Sequence, residues 1–303
     1  MIKNQRFLVL VVGPTAVGKS ELCLNLAKKF QTEIVSCDSR QFYRELHLGT
    51  AKPSPEEMEE VPHHFIDSLS IEDAYDVRKF EQEALLVLDR LFASHEVVVM
   101  VGGSGLFAQA IEYGLDEIPN ADAQMRKEII TSYEVMGLEW LQSEVERVDP
   151  EFFDKVDRNN PQRLVRALEV FRCSGLKFSS FRIKNKVHRP FQTLKIGLDL
   201  PREELYHRID QRMENMLSRG LFEEARSLFD KRHLNALQTL GYTEIFGFLE
   251  GKYDKEEMFR LLKRNSRRYA KRQLTWFRKD NQITWFHPSQ EEDILHYLIS
   301  QMA

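Results

Sequence analysis

Apolar residues along the chain cluster into short runs that alternate with segments of helical period. Continuous runs occur at residues 7–12, 33–37 and 97–101, and a fourth candidate comes much later at 193–198. Amphipathic patterns fill 21–30 and 77–94. Runs of the buried type alternating with amphipathic helices predict a parallel sheet covered by helices on both faces. From about 120 to 189 the pattern turns mostly helical, with helices expected at 123–136, 138–148 and 161–174. The last starts with Asn160 as N-cap and Pro161 at the first helical position. Further helical segments follow at 203–219, 222–231, 242–250 and 255–277. The expected organisation is an α/β core of residues 1–119 and 190–303, interrupted by a helical insertion at 120–189.

The first apolar run leads directly into Gly13, Pro14, Thr15, Ala16, Val17, Gly18, Lys19 and Ser20. Gly-x-x-x-x-Gly-Lys-Ser between a strand and a helix is a phosphate-binding loop, so the core is expected to be of the P-loop NTPase type. Gly13 and Gly18 let backbone N–H groups turn toward a bound diphosphate or triphosphate. Lys19 supplies a positive charge, and the Ser20 hydroxyl suits Mg²⁺. Kinases, ATPases and group transferases all use such loops, which leaves the chemistry open.

At 303 residues, the chain has room for one large α/β domain with an insertion, or for two domains. No apolar stretch reaches the length that spans a bilayer, and residues 1–6 lead straight into the first strand without an apolar leader, so a cytoplasmic protein without a membrane partner is expected. The 3 cysteines, Cys23, Cys37 and Cys173, lack metal-ligand spacing and read as reduced thiols. The net charge of −4 conceals an uneven distribution: residues 260–279 hold nine Lys or Arg and no Asp or Glu. A cationic helix of that kind suits a phosphate backbone.

The second strand runs into Asp38, at the carboxyl edge where an open α/β sheet binds its ligands. Three roles compete for this carboxylate: support of Mg²⁺, general base toward an acceptor, or cap of the next turn. Adjacent His63 and His64 read as packing or hydrogen-bonding residues, because sequence neighbours seldom chelate together. The third strand ends in Gly102-Gly-Ser-Gly105 rather than in a carboxylate, and glycine there is expected to let ligand atoms approach the backbone.

Together these residues resemble one family, the tRNA dimethylallyltransferases or isopentenylpyrophosphate transferases. The resemblance rests on the loop at 13–20, Asp38 to Gln41 with Tyr43, Gly49 to Pro53, Pro62 to His64 with Ile66 and Asp67, and Gly102 to Gly105. It continues through Gln162 to Glu169, Leu240 to Tyr242, and Tyr269 to Gln273 with Thr275 to Arg278, and so spans nearly the whole chain. Ser104, Phe107 and Ser266 depart mildly from Thr, Tyr and Thr in the family pattern.

The resemblance implies transfer of a dimethylallyl group from dimethylallyl diphosphate to N6 of adenosine 37 in tRNA, with Mg²⁺ as cofactor and diphosphate as leaving group. It implies Asp38 as base, with Thr15, Lys19 and an arginine of the helix at 203–219 on the diphosphate. Arg208 and Arg212, one turn apart, are the candidates, with Arg208 slightly preferred. It places tRNA contacts at Asp38, Ser39, Arg40, Gln41, Ser104 and Arg126. On the helix at 161–174 it adds Gln162, Arg163, Leu164, Val165 and Arg166, and further on Leu240, Gly241, Tyr242, Thr243, Glu244 and Ile245. Gln41 and Gln162 suit base edges, and Arg163 and Arg166 suit phosphates, whereas Leu164 also fits the core stripe of its helix. The expected partners are the anticodon stem-loop of tRNA and dimethylallyl diphosphate, and the expected state is a monomer.

Overall fold

The computed structural model describes residues 5–119, 122–182 and 187–303. Asn120, where the sequence reading begins the insertion, lies outside the described residues. Six strands, β1 (Phe7–Val12), β2 (Ile34–Ser36), β3 (His63–His64), β4 (Val97–Gly102), β5 (Gln192–Leu198) and β6 (Thr284–Phe286), form one sheet in the order β3-β2-β4-β1-β5-β6. All neighbouring pairs are parallel; Leu10 of β1 stands opposite Met100 of β4 and Lys195 of β5.

Side-chain alternation in β1 decides what covers each face. Phe7, Val9 and Val11 pack with Leu22 and Leu26 of the helix Lys19–Phe30, Leu205 and Ile209 of Arg202–Ser218, and Ile294 and Leu298 of Glu291–Met302. Leu8, Leu10 and Val12 point the other way, onto Phe80, Ala84 and Leu88 of Val77–Leu91 and onto Ala108 and Ile111 of Gly105–Tyr113. Each such fully buried Leu, Ile or Val contributes about 1.5–3 kcal/mol. The α/β class with helices on both faces therefore follows from a strand that is apolar at every position. β1 lies between β4 and β5, and chain order reverses around it, so the loop after β1 opens at the switch point of the sheet, where ligands of such folds bind.

The described chain divides into two compact units, residues 1–112 with 188–303, and residues 113–187. The second unit is helical: Ala123–Val148, Pro150–Lys155 and Pro161–Ser174. Gly137, at φ 79°, bends the first of these in two, where the sequence reading separates 123–136 from 138–148. Asn160 Oδ1 accepts from Arg163 N at 3.3 Å, which caps the third helix as expected. Ile129, Leu141, Val145, Leu164, Val165 and Leu168 form this unit's core. Among the described residues no helix is long and apolar enough to cross a membrane.

Candidate active site

A cavity of about 590 Å³ lies in the first unit at the carboxyl end of the sheet. Thr15, Lys19 and Ser20 line it from the phosphate loop, and Asp38 to Gln41 line it from the end of β2. Gly102 and Gly103 border it at the end of β4, and Arg212 faces it from the helix Arg202–Ser218.

The loop owes its course to its glycines. At Gly13 a Cβ would lie 2.6 Å from Leu198 O, so only glycine lets the chain pass the end of β5. Ala16 at φ 65° and Gly18 at φ 106° then turn the chain into the helix Lys19–Phe30. Gly18 caps that helix without a side-chain bond, which leaves its first-turn N–H groups for an anion. Pro14 and Val17 are buried and shape the loop, so they meet a ligand through backbone alone. Lys19 Nζ donates to Gly13 O at 3.0 Å and to Pro14 O at 2.7 Å. Burial, reinforced by the nearby Arg212 guanidinium, lowers its pKa to about 8 against the opposing pull of Asp38. Burial likewise lowers that of Arg212, again opposed by Asp38. Lys19, Arg212 and Asp38 thus share one cavity, and an anion there would relieve the repulsion between the two cations.

Asp38 Oδ1 accepts from Arg40 N at 2.9 Å, so one carboxylate oxygen caps the next turn. The same residue lines the cavity, which makes capping and a chemical role compatible. Ser104 Oγ accepts from Ser39 N at 3.0 Å and donates to Ser39 Oγ at 3.1 Å, joining the ends of β2 and β4. Burial and the charge of Asp38 push the Tyr269 phenol up to about 12, so it remains a proton donor at neutral pH.

Several sequence-derived roles change. The Arg208 side chain is exposed and bonds Glu204 at 2.9 Å. It borders a neighbouring groove of about 420 Å³ beside Gly18, whereas Arg212 faces both that groove and the main cavity. The preference for Arg208 therefore passes to Arg212. Gln41 is committed to protein: its Oε1 accepts from Ser36 Oγ at 2.9 Å and its Nε2 donates to Thr50 O and Ala51 O at 3.3 and 3.2 Å. It positions the loop at 49–51 instead of offering its amide to a base.

In the segment 240–245, Leu240, Thr243 and Glu244 line the cavity, while Tyr242 and Ile245 are fully buried. Tyr242 packs against Gly49 and donates to Glu224 at 2.5 Å. Gly241, at φ 93°, caps the helix Tyr242–Leu249, and its N–H donates to Glu244 Oε2 at 2.9 Å.

In the helical unit, Leu164 and Val165 belong to the core, so neither reaches RNA, whereas Gln162 and Arg163 are exposed. Glu169, fully buried, accepts from Arg126 at 2.8 Å and from Arg166 at 3.5 Å, and Arg166 also donates to Pro119 O at 2.9 Å.

The glycines at 102–105 serve packing. A Cβ on Gly102 would meet Cys37 Sγ at 2.4 Å, one on Gly103 would meet Gln273 Nε2 at 2.2 Å, and one on Gly105 would meet Trp276 Nε1 at 2.1 Å. They admit side chains of the protein, and Gly102 and Gly103 also border the cavity, where the sequence reading expected ligand atoms. Burial pushes the Cys37 thiol up to about 12, which leaves it an inert filler. His64 Nε2 pairs with Glu33 at 2.6 Å and His63 Nδ1 with Val61 O at 2.7 Å, both on the edge strand β3.

Residues that the sequence reading placed only in the basic run 260–279 or in the motif at 269–273 complete the cavity. Asn265, Arg268, Tyr269, Arg272 and Gln273 line it from the helix Lys255–Phe277. Their 3- and 4-residue spacing makes one stripe on that helix, and that spacing within a basic run was the available signal.

A phosphate loop facing a strand-end carboxylate in an arginine-lined cavity is the site of an enzyme of the phosphate-loop class. The family model described as IPP transferase matches residues 41–280. A tRNA dimethylallyltransferase of Cytophaga hutchinsonii is 50% identical over 297 residues, 98% of each chain. The crystal structure of a tRNA isopentenylpyrophosphate transferase from Bacillus halodurans superposes with a TM-score of 0.73 at 34% identity, covering 98% of this chain and 96% of that one. A eukaryotic dimethylallyltransferase solved acting on tRNA gives a TM-score of 0.73 at 26% identity, covering 90% of this chain and 70% of that one. The chain belongs to the IPP transferase family, that of the tRNA dimethylallyltransferases.

Proposed function

We propose that this enzyme transfers the dimethylallyl group of dimethylallyl diphosphate to N6 of adenosine 37, beside the anticodon of tRNA. Dimethylallyl transfer to tRNA is the activity of its family; the donor, the atom and the position are the finer reading. The observation that carries it is the shared cavity of Lys19, Arg212 and Asp38.

The adenine N6 attacks C1 of the prenyl group, the C1–O bond breaks, and diphosphate leaves with the electron pair. Lys19, Arg212 and the first-turn amides after Gly18 face that developing charge, as loop donors do in phosphoryl transfer. N6 is a weak nucleophile because its lone pair is delocalised into the ring. Asp38 accepts its proton as the bond to carbon forms, which leaves neutral N6-dimethylallyladenosine. The target base leaves its stack to reach a cavity of this kind.

The chemistry of the loop fits Mg²⁺, a hard cation that takes oxygen ligands and commonly binds with a phosphate group beside a loop hydroxyl. The Ser20 hydroxyl lines the cavity beside Lys19 and would help to hold a magnesium ion there, which leaves the Asp38 carboxylate as the base. When bound, the ion would neutralise charge on the leaving diphosphate.

Arg268, Tyr269 and Arg272 in the cavity, with Arg126, Arg163 and Arg166 on the helical unit, are the proposed anticodon stem-loop contacts. We place the enzyme in the cytoplasm, as a monomer. Incubation of the protein with dimethylallyl diphosphate, Mg²⁺ and either unmodified tRNA or free AMP, followed by mass spectrometry, tests the reading. Prenyl mass on adenosine 37 is expected. Prenyl mass on AMP alone, or phosphate transfer from ATP in a parallel incubation, would overturn it.

A further inference from the structure

Gln273 lies on the helix Lys255–Phe277 and is 6% exposed. Its Oε1 accepts from Thr15 N at 2.9 Å, and its Nε2 donates to Gly103 O at 3.0 Å. Chemistry fixes the orientation of the amide. An N–H only donates and a carbonyl only accepts, so turning the group over would oppose donor to donor and acceptor to acceptor.

The peptide plane between Pro14 and Thr15 is therefore held from both sides. Its N–H is taken by Gln273, and its carbonyl, Pro14 O, accepts from Lys19 Nζ at 2.7 Å. Because the peptide is planar, the two bonds define one orientation for this stretch of the loop. The Thr15 amide is spent on protein, so anion binding falls to the amides after it and to the Thr15 side chain.

Gln273 reaches Gly103 O only because residue 103 has no Cβ, as the 2.2 Å approach of its Nε2 to that position requires. The same helix presents Arg268, Tyr269 and Arg272 to the cavity. One amide thus ties together the phosphate loop, the end of β4 and that helix.

We propose that Gln273 is a positioning residue for the donor diphosphate, acting through the Pro14–Thr15 peptide plane. The inference rests on the reading of the loop as the diphosphate site. Without this amide the plane loses one of its two restraints, Thr15 N–H is left without its partner, and Lys19 loses a fixed carbonyl.

The test measures Mg²⁺-pyrophosphate binding by calorimetry for wild type, Gln273→Met, Gly103→Ala and the double variant, with steady-state kinetics beside it. Methionine keeps the length of the side chain without its amide. Alanine at 103 leaves Gln273 in place and displaces only the end of a flexible side chain, so it perturbs the same contact with little demand on the fold. Each single variant is expected to bind pyrophosphate about tenfold more weakly, with no further loss in the double. KM for dimethylallyl diphosphate should rise by about the same factor, with kcat and KM for tRNA within about threefold.

Wild-type affinity in either single variant, additive losses in the double, or a lowered melting temperature at unchanged affinity would overturn the role. If Gln273→Met does not fold, unchanged pyrophosphate affinity in Gly103→Ala alone overturns it. A wild-type protein that binds no pyrophosphate would overturn the diphosphate reading and this inference with it; binding equal in wild type and variants would overturn the inference alone.

Discussion

The two sides of the helix Lys255–Phe277 carry the same kind of residue in different surroundings. On one side Arg260 bonds Glu257, Lys263 bonds Glu214 and Arg267 bonds Asp210, while Arg278, just past the helix end, bonds Asp199. On the other side Arg268 and Arg272 line the cavity with Tyr269 between them. Nine cations without an acid looked like one field in the sequence. In space, carboxylates pair four of the nine, Arg260, Lys263, Arg267 and Arg278, and exposed pairs of this kind add little to stability. Two more, Arg268 and Arg272, open on the cavity that holds the phosphate loop, so the field that the proposed function gives to RNA is narrower than the run.

On the proposed function, chemistry, donor binding and RNA binding fall to different residues of one cavity. The largest effect is expected for Asp38→Asn, which should lower single-turnover transfer by about 10²- to 10⁴-fold. Transfer near the wild-type rate would remove the base. Arg212→Ala should raise KM for dimethylallyl diphosphate about tenfold or more, and Arg208→Ala less than about twofold, since only Arg212 faces the main cavity. The reverse order would restore the sequence-based preference.

The pH profile sharpens the same division. Below about 8 Lys19 carries its charge in the free enzyme; above it the charge is lost. Diphosphate favours the charged form, so donor binding takes up a proton above that pH and weakens as pH rises, by at most about tenfold per unit. kcat/KM for the donor should fall along that limb, and Lys19→Gln should lower the plateau and flatten the limb. A limb that persists in Lys19→Gln belongs to another group.

Much of this was legible in the sequence where the signal was local. The phosphate loop, four of the six strands and the run of helices between β4 and β5 follow from patterns a few residues long. The edge strands β3 and β6 contain two and three residues, too few for any alternation to register.

The site residues that changed role share another cause. Tyr242, Ile245, Leu164 and Val165 lie within contiguous stretches that resemble the family's RNA-contacting ones, yet a helix turns about 100° per residue and sends such neighbours into the core. The glycines at 103 and 105 are explained by Gln273 and Trp276, more than 160 residues away in sequence, and no local reading supplies that contact. Arg208 and Arg212 share a helical face, and only the position of the cavity distinguishes them.

The most direct measurement is the affinity for unmodified tRNA as a function of salt, for Arg268→Gln/Arg272→Gln set against Arg260→Gln/Arg278→Gln. The inner pair is predicted to bind about 10-fold or more weakly and to reduce the log–log salt slope by about one unit per arginine that meets a phosphate. The outer pair is predicted to leave both affinity and slope near those of the wild type. Equal losses from the two pairs, or a slope lowered only by the outer one, would contradict the account.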